Sequence, residues 1–205
     1  MKPSFQMPGY RINEYQLVLN PPEVLRQRIG KVREGFSLKY DLPLQKPLKA
    51  VCLVKFSHWE MMEEKILHRL QLISMRLSPF KIEIRDFGSL PSHSVFLDVV
   101  TKVPVQKMVR SLKTAGSLLR MNSANKPQWI DNPHIPIAYR LKPWQYEQGW
   151  KEYSHRQFTA KFIADHILLL KRPAGERHAF QVVKRFDFQD LPVLTTQGSF
   201  FEMEY

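Results

Sequence analysis

The residues of this chain best suited to acid–base chemistry on an anion are His134 and Arg140. They lie in the stretch 134–141, in which apolar and other residues alternate as they do in a short, half-buried strand. The face expected to be buried carries Ile135, Ile137, Tyr139 and Leu141, and the opposite face carries His134, Pro136, Ala138 and Arg140. Because the side chains between the imidazole and the guanidinium are small, we expect room for an anion on this face. Pro136 has no backbone donor, which indicates an edge, a bulge or an opening in the sheet.

Composition and charge limit the class of protein and its partners. The 205 residues are enough for one large domain or two small lobes, and a hydrophobic fraction of 43% indicates a folded chain. A net charge of +12 favours nucleic acid, phosphorylated ligands or an anionic surface, although a basic protein without such a partner has the same charge. Cys52 is the single cysteine, so no internal disulfide can form, and a reducing cytoplasm is the simplest setting. The first 15 residues lack the apolar core of a signal peptide, and no apolar run approaches the ~20 residues that cross a bilayer.

Several common chemistries have no counterpart in the sequence. The eight glycines form no phosphate-binding loop, and no Gly-x-Ser-x-Gly motif is present. The seven histidines lack metal-binding spacing, and one cysteine excludes a multi-thiolate zinc site.

Hydrophobic periodicity predicts strands and helices that alternate along the chain. The predicted strands are 14–19, 48–56, 80–87, 94–100, 157–162, 167–171 and 179–186, with connections at 41–47, 88–93 and 173–177. The predicted helices begin at 20–23 and 57–58, span 104–119, and span 142–153. Asn20 is expected to cap the first helix, and Ser57 with Glu60 forms a predicted capping box for the second.

Two predictions concern side chains on these elements. On the first helix, Leu25, Ile29, Val32 and Phe36 form the expected buried stripe, and Arg26, Arg28, Lys31 and Arg33 form a solvated basic face. In the strand 48–56, Ala50, Cys52 and Val54 are expected to share one face.

The layout of the chain repeats once. In 48–73 and in 133–153, a short strand with small residues on one face leads into a helix. Ala50 and His134 occupy equivalent positions, 84 residues apart. This indicates a weak internal duplication of architecture, with little identity between the residues.

Several segments, taken in order, resemble the two-histidine phosphoesterase superfamily, which contains 2′-5′ RNA ligases and cyclic nucleotide phosphodiesterases. The stretch 133–138 (PHIPIA) is similar to that family's second signature, His-x-Thr or His-x-Ser within apolar strand residues. The segment 48–70 resembles the first signature and the helix after it. Phe87-Gly88 with 95–99 resembles a Phe-Gly turn and the next strand, and 167–172 with 180–188 resembles the closing hairpin.

The resemblance implies a fold and a chemistry. The implied fold is α+β and bilobal: two antiparallel sheets with outer helices around a central cleft, related by a pseudo-twofold duplication, so that residues 1–205 form a single two-lobed domain. In the family, one histidine acts as general base and the other as general acid, and the hydroxyl two residues after each donates a hydrogen bond to phosphate. This chemistry implies no metal and no organic cofactor.

Three departures from the family pattern reduce the implied site to His134. Ala50 stands where the first histidine is expected, and Cys52 and Pro136 stand at the two hydroxyl positions. We therefore expect catalytic His134, substrate-binding positions at Cys52, Pro136 and Arg140, and weak or lost catalysis on RNA ends or 2′,3′-cyclic nucleotides.

Other histidines and other functions stay open at this point. His58 is predicted as the first helical residue after the Ser57 cap, whereas His93 lies in a turn from which it could approach the cleft. The alternative functions are a non-catalytic nucleotide- or RNA-binding module and a protein-interaction scaffold on the same fold.

Overall fold

The computed structural model describes residues 9–43, 48–91, 93–176 and 178–192, so the predicted connection 41–47 and the predicted turn 173–177 lie partly outside it. The strands are β1 (Ile12–Leu19), β2 (Val51–Trp59), β3 (Phe80–Leu90), β4 (Ser94–Val99), β5 (Gln128–Trp129), β6 (His134–Tyr139), β7 (Thr159–Ala164), β8 (His166–Pro173) and β9 (Gln181–Asp187). The helices are α1 (Glu23–Lys39), α2 (Glu63–Ser74), α3 (Lys102–Lys113), α4 (Gly116–Leu119) and α5 (Pro143–Tyr153).

Two antiparallel sheets confirm the predicted α+β architecture. The first sheet has the strand order β5-β2-β1-β8-β9, and the second has the order β6-β4-β3-β7. Each sheet therefore holds one strand of the predicted duplication, β2 in the first and β6 in the second. Below, these two strands are called the signature strands.

One face of the first sheet packs against helices, and the other stays open. Tyr15, Leu17 and Leu19 of β1 are at most 1% exposed and belong to the same apolar cluster as Ile66 and Leu70 of α2. Burial of each such side chain contributes roughly 1.5–3 kcal/mol, which fixes which face of β1 turns to the helices. The residues between them in β1 alternate onto the open face.

A second group of contacts packs α1 and α5 close together. Phe36 of α1 lies edge-on to Tyr153 of α5, with ring centroids 4.9 Å apart. A Cβ at Gly149 would lie 2.7 Å from Cζ of Phe36, so the glycine permits this close approach. Tyr153 in turn contacts Phe87 of β3, which ties the helix pair to the second sheet.

The signature strands contain an extra residue at the same place. In β2 it is Leu53, where the register with β1 shifts, and in β6 it is Ile137, where the register with β4 shifts. Leu53 and Ile137 are 84 residues apart, the same separation as Ala50 and His134. Two bulges at equivalent positions are a backbone feature of the pseudo-twofold duplication.

These bulges reverse the predicted alternation beyond them, because one extra residue moves each later side chain to the opposite face. Val54, predicted on the face of Ala50 and Cys52, is fully buried in the core. Ala138, predicted beside His134, is likewise buried at 3% exposure.

The predicted capping box at Ser57 is wrong. Ser57 pairs with Glu14 of β1, so β2 continues through His58 to Trp59. A 3₁₀ turn over Glu60–Met62 follows, and α2 begins only at Glu63, without a side-chain cap. Pairing with β1 satisfies the backbone here, and this long-range contact outweighs a local helix signal.

Three other boundaries differ from the prediction. The first helix is preceded by Pro22 rather than capped by Asn20. The predicted helix 104–119 breaks into α3 and α4 at Thr114 and Ala115. Gly88, predicted in a turn, lies inside β3, which continues to Leu90.

Candidate functional site

A buried arginine of α1 joins the signature strands. Arg33 Nε donates to the carbonyl oxygen of Pro136 in β6 at 2.9 Å, and Nη2 donates to the carbonyl oxygen of Leu48, just before β2, at 2.9 Å. Nη2 also donates to Pro136. One guanidinium therefore holds the start of β2 against the middle of β6. We use "the cleft" for the region around these two strands that includes His134 and Ala50, where Arg33 joins them.

The structure contradicts the prediction that Arg33 belongs to a solvated face. Its exposure is 6%, and burial lowers the pKa of its guanidinium to about 10, an effect that Tyr139 partly opposes. The group is still charged at neutral pH. Carbonyl oxygens bound to a buried guanidinium offset part of the cost of removing the charge from water.

His134 is the first residue of β6, opposite Asp98 of β4. Its Nδ1 lies 2.8 Å from the carbonyl oxygen of Asn132. Because a carbonyl oxygen only accepts, Nδ1 carries the proton, and Nε2 is the nitrogen that can accept one. Sequence reasoning placed His134 at the start of a strand, and the structure does the same.

The imidazole rests on an aromatic ring that the sequence analysis did not single out. The rings of Phe96 and His134 lie 4.7 Å apart at an angle of 45°. On the neighbouring strand, a Cβ at Gly88 would lie 2.4 Å from Cε2 of Phe96. Gly88 therefore leaves the space that Phe96 fills, and Phe96 in turn positions His134. A glycine inside a strand is the sequence signal for such a close approach.

The first sheet has an apolar surface around Ala50, the position at which the resemblance implies the first histidine. Ala50 is 4% exposed and packs with Val18 and Leu170 in a small hydrophobic cluster, separate from the main core. A cavity of about 400 Å³ opens over this surface, called here the Ala50 cavity. The apolar residues of its lining, called here the floor, are Val18, Leu48, Ala50, Leu168, Leu170, Phe180 and Val182. The polar and charged residues of its lining, called here the rim, are Asn20, Glu23, Arg26 and Lys49.

Cys52 and Pro136, where the resemblance implies hydroxyl residues, offer no strong hydrogen-bond donor. The thiol of Cys52 lies 3.9 Å from Oε1 of Gln16, and burial raises its pKa to about 11, so the thiol stays neutral. Pro136 has no backbone N–H, and its carbonyl oxygen is bound by Arg33. Substrate binding at Cys52 and Pro136 therefore remains a prediction, and these side chains could contribute packing but little charge.

The sequence analysis expected Arg140 to share one strand face with His134, but the two residues do not share a continuous face in the structure. It follows the last residue of β6, has φ 55°, and is exposed. The length of β6 separates the two residues, about 16 Å at the usual rise per residue. A phosphate contact from Arg140 stays a prediction for a ligand that extends along the strand.

The remaining histidines are placed away from His134. His58 is buried at the far end of β2, and burial lowers the pKa of its imidazole while hydrogen bonds with the backbone near Arg120 oppose the shift. The carbonyl oxygen of His93 accepts from the N–H of Leu141, at the opposite end of β6. In the described part of the chain, no second imidazole has a hydrogen bond or ring contact with His134.

The other four histidines lie on exposed segments or outside the signature strands. His68 on α2, His155 after α5, and His178 before β9 are exposed. His166 begins β8 and contacts Asp165. β1 lies between β8 and β2 in the sheet. His166 is therefore about two strand spacings, ~10 Å, from the line of β2, which Ala50 directly precedes.

Two kinds of feature are absent from the described residues. Within residues 9–43, 48–91, 93–176 and 178–192, no group of three or more His, Cys, Asp and Glu side chains could hold a metal ion. In the same ranges, no helix has the length and apolar character needed to cross a membrane.

Comparison with known proteins gives a family and a fold. A model of the 2′-5′ RNA ligase superfamily matches residues 21–176. The structure is similar to E. coli LigT in its apo form, with a TM-score of 0.58 and 16% identity over 86% of this chain and 98% of that chain. For LigT in complex with 3′-AMP, the TM-score is 0.58 and the identity is 15%, over 87% of this chain and 98% of that chain. For a crystal structure described as a phosphoesterase, the TM-score is 0.57 and the identity is 15%, over 86% of this chain and 98% of that chain. No curated protein sequence matches the chain.

Proposed function

Because this chain belongs to the 2′-5′ RNA ligase superfamily, we propose that its cleft binds the phosphate of a nucleotide or RNA end and turns it over poorly or not at all. The observation that carries the proposal is the asymmetry between the signature strands. His134 begins β6, whereas Ala50, which the internal duplication makes equivalent, directly precedes β2 and packs with Val18 and Leu170.

The family's chemistry on a phosphoester needs one group that accepts a proton and another that donates one. With Nδ1 bound to the carbonyl oxygen of Asn132, His134 can supply one of these roles through Nε2. Loss of one proton-transfer partner costs ~10² to 10⁴ in rate. Loss of the two hydroxyl donors, at Cys52 and Pro136, further weakens stabilisation of charge on the transferring phosphoryl group.

Binding requires less than catalysis. The net charge of +12 attracts anions, and the Ala50 cavity, at about 400 Å³, lies within the usual range of small-molecule sites. LigT has been solved with 3′-AMP, with ATP and with phosphate, which makes nucleotide phosphates the first ligands to test. We extend the proposal to RNA ends and 2′,3′-cyclic nucleotides in a reducing, cytoplasmic setting, to which the single Cys52 is suited.

Two measurements test the proposal. Titration calorimetry with 3′-AMP should give saturable binding that inorganic phosphate competes with and that added salt weakens. Hydrolysis of a 2′,3′-cyclic nucleotide by the wild type should be slow, and His134→Ala should remove the part of it that uses this one imidazole. Absence of 3′-AMP binding at millimolar concentration would remove the binding function. Fast wild-type hydrolysis whose pH profile shows two ionisations would show an intact catalytic site and overturn the proposed loss.

A further inference from the structure

We propose that the ligand's phosphate is held at the rim of the Ala50 cavity by Lys49 and Arg26, with its nucleobase on the apolar floor, rather than at the signature positions. The inference rests on the proposed function, because it names the residues and the ligand class of the same cleft. It departs from the family's scheme, in which the signature residues themselves bind phosphate.

The signature positions leave an anion without strong donors. Ala50 offers a methyl group, Cys52 a neutral thiol and Pro136 no donor. A phosphate placed there would lose water without gaining charge-assisted hydrogen bonds, which is costly. The cations that line the cavity are the alternative.

Lys49 lines the cavity and its side chain extends over α1. It directly precedes Ala50, and its Nζ lies 2.5 Å from the point that a Cβ of Gly30 would occupy. A side chain on Gly30 would therefore displace the ammonium group. Lys49 is half-buried and has no ion pair or hydrogen bond with any residue of the described ranges. Its charge is available to a ligand.

Arg26 is held at the same rim with one donor unused. Its Nη1 lies 3.4 Å from Oδ1 of Asn20, and its Nη2 pairs with Glu23. Its Nε is buried and has no hydrogen-bond partner. A ligand oxygen can contact the exposed part of this side chain, since 36% of it is accessible. The guanidinium also lies on the first turn of α1, which has no side-chain cap and whose dipole favours an anion.

The floor of the cavity suits a flat apolar group. Val18, Leu168 and Leu170 are aliphatic, and Phe180 adds an aromatic ring whose position is fixed by the guanidinium of Arg172, 4.5 Å from the ring centroid. A nucleobase has a polar edge and an apolar face, so it can rest on such a surface while its sugar phosphate reaches the charged rim.

Glu23 provides a control, because its removal should change phosphate affinity in the direction opposite to the removal of Lys49. Its carboxylate lines the cavity and pairs with Arg26, so it competes with a ligand anion for the same guanidinium. Removal of this negative charge should strengthen phosphate binding, whereas removal of Lys49 should weaken it.

The experiment measures 3′-AMP and inorganic phosphate binding by calorimetry in four variants with folding checked by circular dichroism. Lys49→Met should weaken both ligands about 10-fold or more, and Glu23→Gln should tighten both several-fold. Lys31→Met, the same change at an exposed position of α1, should leave both unchanged. Ala50→Leu, which fills the floor, should weaken 3′-AMP more than phosphate.

The outcomes separate this inference from the proposed function. If the wild type binds 3′-AMP and Lys49→Met matches Lys31→Met, or Glu23→Gln weakens binding, the rim site is wrong and the binding function stands. Equal effects of Ala50→Leu on both ligands would remove the nucleobase from the floor. No binding by the wild type would remove the proposed function itself. If Lys49→Met does not fold, Arg26→Gln tests the same rim, and unchanged phosphate affinity in that variant overturns the proposal.

Discussion

Arg33→Lys tests whether one buried guanidinium holds the signature strands together. The substitution keeps the positive charge, so the cost of burying it remains. A single ammonium cannot reproduce the fork that binds the carbonyl oxygens of both Leu48 and Pro136. At least one hydrogen bond to a charged group is lost, which costs about 1.5–3 kcal/mol. For a chain of this size, the melting temperature should fall by roughly 3–12 °C.

The assay compares this variant with Arg69→Lys, the same chemical change at an exposed position of α2. Urea unfolding should place the control within about 0.5 kcal/mol of the wild type. Amide hydrogen exchange should rise in Arg33→Lys at the start of β2 and the middle of β6, where the two carbonyls lie. Equal unfolding free energies for the two variants, with unchanged exchange at both strands, would refute the bridging role of Arg33.

Two further predictions follow from buried contacts. Gly88→Ala should destabilise the fold by about 1–3 kcal/mol, because its Cβ would meet the ring of Phe96 at 2.4 Å. The displaced ring should also shift the NMR signals of His134, which it contacts. Unchanged stability and unchanged signals would contradict that packing. Burial lowers the pKa of His58, so its unfolded form binds protons more readily. The stability present above pH 6.5 should then be lost as pH falls toward the folded pKa, by at most about 1.4 kcal/mol per pH unit. The midpoint of urea unfolding, measured from pH 7.5 to 5, should fall with pH in the wild type and in the control variant His68→Gln. The same fall in His58→Gln would contradict the role of His58.

The sequence predicts the elements well where local periodicity decides them. Leu25, Ile29 and Phe36 of the predicted α1 stripe are buried as expected, and Val32 is partly buried. The resemblance to a known family supplied the arrangement of the two sheets, which local patterns alone cannot give, because strand pairing depends on contacts distant in sequence.

Three of the features that sequence reasoning missed depend on long-range contacts. Arg33 is one of several arginines on α1, and only its contact with the carbonyls of a distant strand explains its burial. Ser57 has the local pattern of a helix cap, yet pairing with Glu14 keeps it in a strand. The bulges at Leu53 and Ile137 arise from pairing with neighbouring strands, and they reversed the faces that simple alternation predicts.

We propose that His134 is the single imidazole of the cleft able to act on phosphate, and that Ala50 stands in place of a second one. The most direct measurement is single-turnover hydrolysis of a 2′,3′-cyclic nucleotide by the wild type, Ala50→His and the double variant Ala50→His/His134→Ala. We predict hydrolysis ~10² to 10⁴ times faster in Ala50→His than in the wild type, and its loss in the double variant. A wild type that already turns over as fast as Ala50→His, with two ionisations in its pH profile, would contradict the account.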